Sequence, residues 1–345
     1  MQVHQNYSLK KYNTFGIDAY SKYFAEFCSA EELPILLECQ RKISSIIILG
    51  GGSNILFTKN FDGFILKNNI PGIEVIQEDK DSVYIKAGAG VSWHSFVMYC
   101  VGHNYGGVEN LSLIPGNVGA TPMQNIGAYG VEIKDVFYEL EAFHVQEKFI
   151  KKFTAFECEF GYRESVFKKR LKDQFAILSV TYQLKKNPVF NISYGAIEQE
   201  LGKMNVGKLS VKAISDAIIN IRTSKLPDPE RVGNAGSFFK NPVINKHELQ
   251  EIQTHELLLH QLHELNIPYY KIDDNHFKIP AGWLIEQCGW KGFRKGDAGC
   301  YEKQALVLLN YGNATGKEIY NLSEEIVISV KERFGINLER EVNII

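Results

Sequence analysis

Four stretches of this sequence carry residue types that could do chemistry at their spacing. Gly50-Gly51-Gly52-Ser53-Asn54 follows the apolar run 45–49, and consecutive glycines let backbone N–H groups approach a phosphate with no side chain in the way. A tight turn between strands accounts for the same residues equally well. No Gly-Lys-Ser/Thr follows, so this is not a Walker A loop, and it lacks both the GxGxxG spacing and the ensuing helix of a Rossmann fingerprint. Residues 114–130 hold Pro115, Gly116, Gly119, Ala120, Asn125, Gly127 and Ala128, yet stay apolar at Ile114, Val118 and Ile126. A solvated linker would be more polar, so the pattern favours an interior cradle packed against something flat or phosphorylated.

The third stretch, 160–167, sets Arg163 between Tyr162 and Ser165. A planar guanidinium suits a phosphate or carboxylate, and a surface ion pair is the equal alternative. In the fourth, Lys225 precedes Pro227 and Pro229, and Ser237 follows Gly236. The spacing is not GxSxG, so the serine reads first as a turn former and, functionally, as a proton donor. Two features are set aside. His255, His260 and His263 lack the second histidine of HExxH and read as a solvated helix face. Glu339 and Glu341 share one strand face and, by spacing alone, read as solvent-facing.

These residues need elements to hold them. Residues 45–49 form a buried strand that enters the glycine loop, and 55–57 and 61–66 read as strand pieces around an Asp62-Gly63 turn. Residues 82–87 alternate as a strand, and Ser92 caps a helix with Trp93, Phe96, Val97, Cys100 and Val101 at helical spacing. Residues 137–145 and 175–184 are strands. Beyond Asn187-Pro188 helices follow: one capped by Ser210 and stopped by Pro227, then 246–265, 281–288 and 317–334. Residues 336–345 alternate as a closing strand that returns to an earlier sheet.

The 345 residues suffice for two or three domains, and 38 Lys+Arg against 40 Asp+Glu give a net charge of −2. That balance offers no basic excess for a nucleic acid. Neither a signal-like apolar core nor an apolar run of about 18 residues is present, so a cytoplasmic protein without a membrane span is expected. Cys28, Cys39, Cys100, Cys158, Cys288 and Cys300 form no CxxC pair and read as reduced, mostly buried thiols. No metal site is expected.

Taken in order, seven segments closely resemble one family: LGGGSN at 49–54, SLIPGNVGATPMQNIGAYG at 112–130, GYRESVF at 161–167, RTSKLPDP at 222–229, GNAGSFFKNP at 233–242, AGWLIEQCGWKG at 281–292 and LEREV at 338–342. That family is the UDP-N-acetylenolpyruvoylglucosamine reductases (MurB). The likeness runs from about residue 9 to the end and includes the tyrosine-loop (type I) subtype, through Tyr194. It implies an α+β chain: a two-subdomain FAD-binding fold of the vanillyl-alcohol oxidase type, with a C-terminal α+β substrate-binding domain. The implied limits are 1–68 with 336–345, then 69–226, then 227–335.

The resemblance further implies non-covalent FAD, NADPH as hydride donor, and UDP-N-acetylglucosamine enolpyruvate as the small-molecule substrate of a monomer. Gly50, Gly51, Gly52, Ser53, Asn54, Pro115, Gly116, Gly119, Ala120, Asn125, Gly127 and Ala128 would cradle FAD, with Arg163 and Arg222 near the flavin. Hydride from flavin N5 would reach the terminal enolpyruvyl carbon. Arg163 and Glu341 would then polarise the carboxylate, and Ser237 would protonate C2; Glu341 is chosen over Glu339 by motif register alone. Tyr194, Lys225, Asn241 and Gln287 would contact the nucleotide or sugar. Two rival readings are a flavin oxidase of the same superfamily acting on a sugar or lactone, and a non-catalytic UDP-sugar sensor.

Overall fold

The computed structural model describes residues 2–39, 45–260 and 267–345, with the side chains of Cys39 and residues 255–260 outside the description. Of the three helix histidines of the sequence reading, His263 and the side chains of His255 and His260 therefore lie outside the description. By internal contacts the chain divides into two units. The first holds Met1–Tyr12, Tyr20–Ser53 and Asn60–Ser224, and the second Asn13–Ala19, Asn54–Lys59 and Lys225–Ile345. Residues 336–345, expected with 1–68, thus fall in the second unit.

In the first unit a four-stranded sheet runs in the order His4–Ser8, Tyr20–Phe27, Phe61–Asn68, Ile46–Leu49. Its last two pairings are parallel. The expected Asp62-Gly63 turn is absent. Both residues lie inside one strand, where they form a bulge that sets the two of them against Lys22 of the neighbouring strand. A Cβ on Gly63 would sit 2.5 Å from Ser45 O and from the Phe61 ring, so the bulge requires glycine there.

The second sheet is antiparallel, ordered Ile150–Thr154, Phe137–His144, Phe175–Lys185, Ser82–Gly88, Ile73–Glu78. Ala25, Phe27, Phe64 and Leu66 of the first sheet share a core with Phe143, Ala176 and Leu178 of the second. The opposite face of the second sheet is covered by helix Trp93–Gly102, whose Trp93, Phe96, Val97 and Cys100 pack with Val180, Tyr182 and Leu184. Burial of each large side chain contributes about 1.5–3 kcal/mol. Ser92 caps that helix through Ser95 N, as expected. Helices Gly195–Lys203 and Val211–Lys225 enclose a smaller core of Ile197, Leu201, Ile214, Ala217, Ile218 and Ile221.

The second unit has an antiparallel sheet ordered Gly233–Ser237, Val307–Asn310, Ala298–Cys300, Arg294–Lys295. Helix Gly316–Phe334 lies against it, capped by Thr315 and ended by left-handed Gly335. The expected ten-residue closing strand is much shorter. Only Asn343–Ile344 pairs, in parallel with Ile55–Leu56, and Arg340 makes one isolated bridge to Phe239. Cys100, Cys158 and Cys300 are buried and Cys28 is exposed. Burial pushes the Cys158 and Cys300 thiols up to about 12. Among the described residues no helix is long and apolar enough to cross a membrane.

Candidate active site

The first glycine loop leaves the carboxyl end of strand Ile46–Leu49 and touches the second directly. A Cβ on Gly51 would lie 2.7 Å from Asn117 Oδ1 and 2.9 Å from Gly116 Cα, and one on Gly116 would lie 2.7 Å from Ser53 Oγ. The two loops, far apart in sequence, approach as closely as backbone allows. Ser53 Oγ donates to Pro115 O at 3.2 Å, and Asn117 Nδ2 donates to Gly90 O at 2.6 Å. The second loop is fixed below by Trp93 N to Gly116 O, Val118 N to Val91 O and Gly119 N to Ala89 O. The N–H groups of Gly51, Ser53, Gly116 and Asn117 donate to no acceptor among the described residues. Four unspent N–H groups on two side-chain-poor loops fit the diphosphate of a dinucleotide cofactor.

Further along, Asn125 is buried and left-handed at φ 47°. Its Nδ2 donates to Glu132 Oε2 and Gly161 O, both at 3.0 Å, and its Oδ1 accepts from Lys134 N at 2.9 Å. Both amide hydrogens are spent inside the protein, so the Asn125 side chain shapes the loop instead of reaching a ligand. Arg163, also left-handed at φ 55°, donates through Nη2 to Gly127 O at 2.6 Å. This bond ties the 160–167 stretch to Gly127, at the far end of the second glycine loop.

Arg222, on helix Val211–Lys225, donates through Nε to Leu113 O at 3.2 Å and hydrogen-bonds Tyr129. Burial lowers its pKa from the ordinary arginine value, and burial raises that of Tyr129 against the opposing pull of Arg222. Burial, followed by the Arg222 charge, lowers the pKa of His94. Tyr194 is 44% exposed and meets Tyr129 edge to face, with ring centroids 5.4 Å apart. Lys225 is exposed at the end of its helix.

In the second unit, Ser237 ends strand Gly233–Ser237 beyond a bulge in which Gly236 has φ 67°. Asn234 anchors the bulge, accepting from Gly236 N at 3.0 Å and donating to Val232 O at 2.9 Å. The Ser237 side chain is exposed and its hydroxyl has no partner among the described residues. The next residue's carbonyl, Phe238 O, accepts from Glu341 N at 2.8 Å, so the backbones at Ser237 and Glu341 run side by side. Glu341 O in turn accepts from Asn54 Nδ2 at 3.2 Å. Glu339 is occupied elsewhere: its carboxylate pairs at 2.5 Å with buried Lys240. Asn241 Oδ1 accepts from Ala281 N at 2.9 Å, making it a cap of helix Ala281–Gln287. The Gln287 carbonyl accepts from Arg333. Among the described residues no group of three His, Cys, Asp or Glu could hold a metal.

The sequence reading gave no role to His94 and Ser215, which hold the backbone that enters the second glycine loop. The one available signal was their position in or beside glycine-rich or capped segments, and it carries no information on partners.

Residues 22–149 match the family described as FAD binding domain, and residues 228–345 match UDP-N-acetylenolpyruvoylglucosamine reductase, C-terminal domain. The UDP-N-acetylenolpyruvoylglucosamine reductase of Flavobacterium johnsoniae is 50% identical over 346 residues, covering 100% of both chains. That of Amoebophilus asiaticus is 49% identical with the same coverage. The crystal structure of the Thermus caldophilus reductase (MurB) superposes with a TM-score of 0.67 at 21% identity, covering 99% of this chain and 98% of that one, which supports the fold. With full-length relatives at half identity and both domains in place, the chain belongs to the UDP-N-acetylenolpyruvoylglucosamine reductase family, FAD-dependent oxidoreductases of peptidoglycan synthesis.

Proposed function

We propose that this chain uses NADPH, in the cytoplasm, to reduce UDP-N-acetylglucosamine enolpyruvate to UDP-N-acetylmuramate, with Ser237 as the proton donor. When bound, FAD supplies the hydride, from reduced N5 to the terminal carbon of the enolpyruvyl double bond. Negative charge then develops on C2 and spreads into the substrate carboxylate. Arg163 balances that charge, and Glu341 acts with it in polarising the carboxylate as the enol-like intermediate forms. Each such donor is worth roughly 10²–10³ in rate, and a positioned acid roughly 10²–10⁴. A hydroxyl is a weak acid, but a carbanion is a strong base, so Ser237 needs no histidine beside it.

The observation that carries this reading is the state of Ser237. Its exposed hydroxyl has no partner among the described residues, while its neighbour's carbonyl fixes the Glu341 backbone at 2.8 Å. Glu341 is taken over Glu339 by motif register, and its backbone is held beside Ser237 through Phe238 O. Tyr194, with its exposed ring, is the side chain that closes on the nucleotide, as in the tyrosine-loop subtype. Lys225, Asn241 and Gln287 contact the diphosphate or sugar. Asn241 keeps its NH₂ end for that purpose because only Oδ1 serves the helix cap.

An anaerobic titration tests the reading. The yellow protein should bleach with NADPH and recolour on addition of UDP-N-acetylglucosamine enolpyruvate. Colour that NADPH cannot bleach, or bleached protein that the enolpyruvyl substrate does not reoxidise, sinks the proposal.

A further inference from the structure

The backbone of residues 111–113, which leads into the cofactor loop, is held by side chains and not by a sheet. Trp93 Nε1 donates to Leu111 O at 2.9 Å. Ser112 Oγ and Ser215 Oγ, both fully buried, share a hydrogen bond at 2.8 Å. Leu113 N donates to His94 Nδ1 at 3.0 Å, and Leu113 O accepts from Arg222 Nε at 3.2 Å. Leu113 itself is left-handed at φ 59°, a conformation a leucine keeps only where its surroundings impose it.

Both polar groups of Leu113 are thus taken by side chains of two helices, Trp93–Gly102 and Val211–Lys225. Because Nδ1 accepts, the His94 ring carries its proton on Nε2. Arg222 also reaches Tyr129, at the far end of the same glycine-rich segment. Three and four residues beyond Leu113 come Gly116 and Asn117, whose N–H groups have no acceptor among the described residues.

We propose that His94 and Arg222 form a clasp on Leu113 that sets the angle at which Gly116 and Asn117 offer their N–H groups to the FAD diphosphate, making His94 a positioning residue for cofactor binding. The inference rests on the FAD reading of this loop and is independent of which substrate the flavin later reduces.

The test is FAD titrated into flavin-free protein, followed by quenching of flavin fluorescence, beside thermal melts of the flavin-free protein. His94→Leu leaves Leu113 N–H without an acceptor and should raise the FAD Kd on the order of tenfold. His94→Asn places Oδ1 where Nδ1 stood and should restore binding to within about threefold of wild type. His94→Gln, polar but with its acceptor displaced, should behave like His94→Leu. Arg222→Met combined with His94→Leu should cost less than the product of the two single losses, because either break opens the clasp. Melting of the flavin-free single variants should fall by no more than the roughly 2–4 °C that one lost hydrogen bond costs, and by the same amount in His94→Leu and His94→Gln.

Wild-type FAD affinity in His94→Leu, or Asn at 94 performing no better than Leu and Gln, overturns the clasp. So does a melting temperature that falls in step with affinity, which would reduce His94 to ordinary support of the core. A variant or wild-type protein that binds FAD tightly yet fails to turn over the enolpyruvyl substrate counts against the proposed function and leaves the clasp standing.

Discussion

Gly51→Ala is the sharpest single test of how the cradle is built. The new Cβ would lie 2.9 Å from Gly116 Cα, where ordinary contact begins at 3.4 Å, so the two loops must part by about half an ångström. It would also lie 2.7 Å from Asn117 Oδ1. That amide can turn aside only by straining its 2.6 Å bond to Gly90 O. Overpacking costs about 1–3 kcal/mol and a lost hydrogen bond about 1 kcal/mol more. At about 2–4 °C per kcal/mol for a unit of this size, the flavin-free protein should melt roughly 4–16 °C lower. Parting the loops also separates the N–H groups of Gly51 and Ser53 from those of Gly116 and Asn117. Every 1.4 kcal/mol of that loss is a factor of ten in affinity, so the FAD Kd should rise about 10–100-fold. Gly50→Ala is the control: its Cβ would meet nothing closer than 3.8 Å, and flavin-free melting should move by no more than about 1 °C. Differential scanning fluorimetry and flavin-fluorescence titration give both readouts. If Gly51→Ala matches Gly50→Ala in melting and affinity, the close approach of the loops does not build the site.

Ser237→Ala should leave anaerobic flavin reduction by NADPH nearly intact and slow reoxidation by the enolpyruvyl substrate by roughly 10²–10⁴-fold, in stopped-flow absorbance; equal loss in both halves refutes its role as proton donor. Asn241→Ala should lower the melting temperature through loss of a cap worth about 1 kcal/mol. Asn241→Asp keeps the cap oxygen and loses the amide donors, so it should melt like wild type and raise the substrate KM. Glu109 is buried, with Oε2 accepting from Gly107 N at 2.5 Å, and burial raises its pKa despite backbone hydrogen bonds that pull the other way. The folded state therefore binds this proton more tightly, which adds stability at low pH that is lost as pH rises through the raised value. Glu109→Gln removes that loss, so its melting temperature relative to wild type should climb from pH 5 to pH 8; a pH-independent difference refutes the assignment.

Helix Trp93–Gly102, with its Ser92 cap, and the strands at 137–144 and 175–185 were legible because caps and periodicity are local. Asp62-Gly63 misled because the same dipeptide serves a turn or a bulge, and only the Ser45 carbonyl 2.5 Å from the would-be Cβ decides. The terminal alternation misled similarly. Residues 336–342 carry a strand's pattern of burial, but most of their neighbours offer no ladder, so pairing is confined to Arg340 and to Asn343–Ile344.

The sequence by itself determined where backbone could meet a cofactor, because absence of a Cβ is a property of each glycine alone, and ordered motifs identified the family. Tertiary structure decided what each polar group is free to do. It spends the Asn125 amide inside the protein, gives Glu339 to Lys240, divides Asn241 between a cap and an open NH₂ end, and places His94 and Arg222 on either side of Leu113. The physical reason is that a hydrogen bond or ion pair depends on a partner within about 3 Å. Glu339 and Glu341 share one period and one chemistry, and only packing between distant segments sets Glu339 against Lys240 and the Glu341 backbone against Phe238 O.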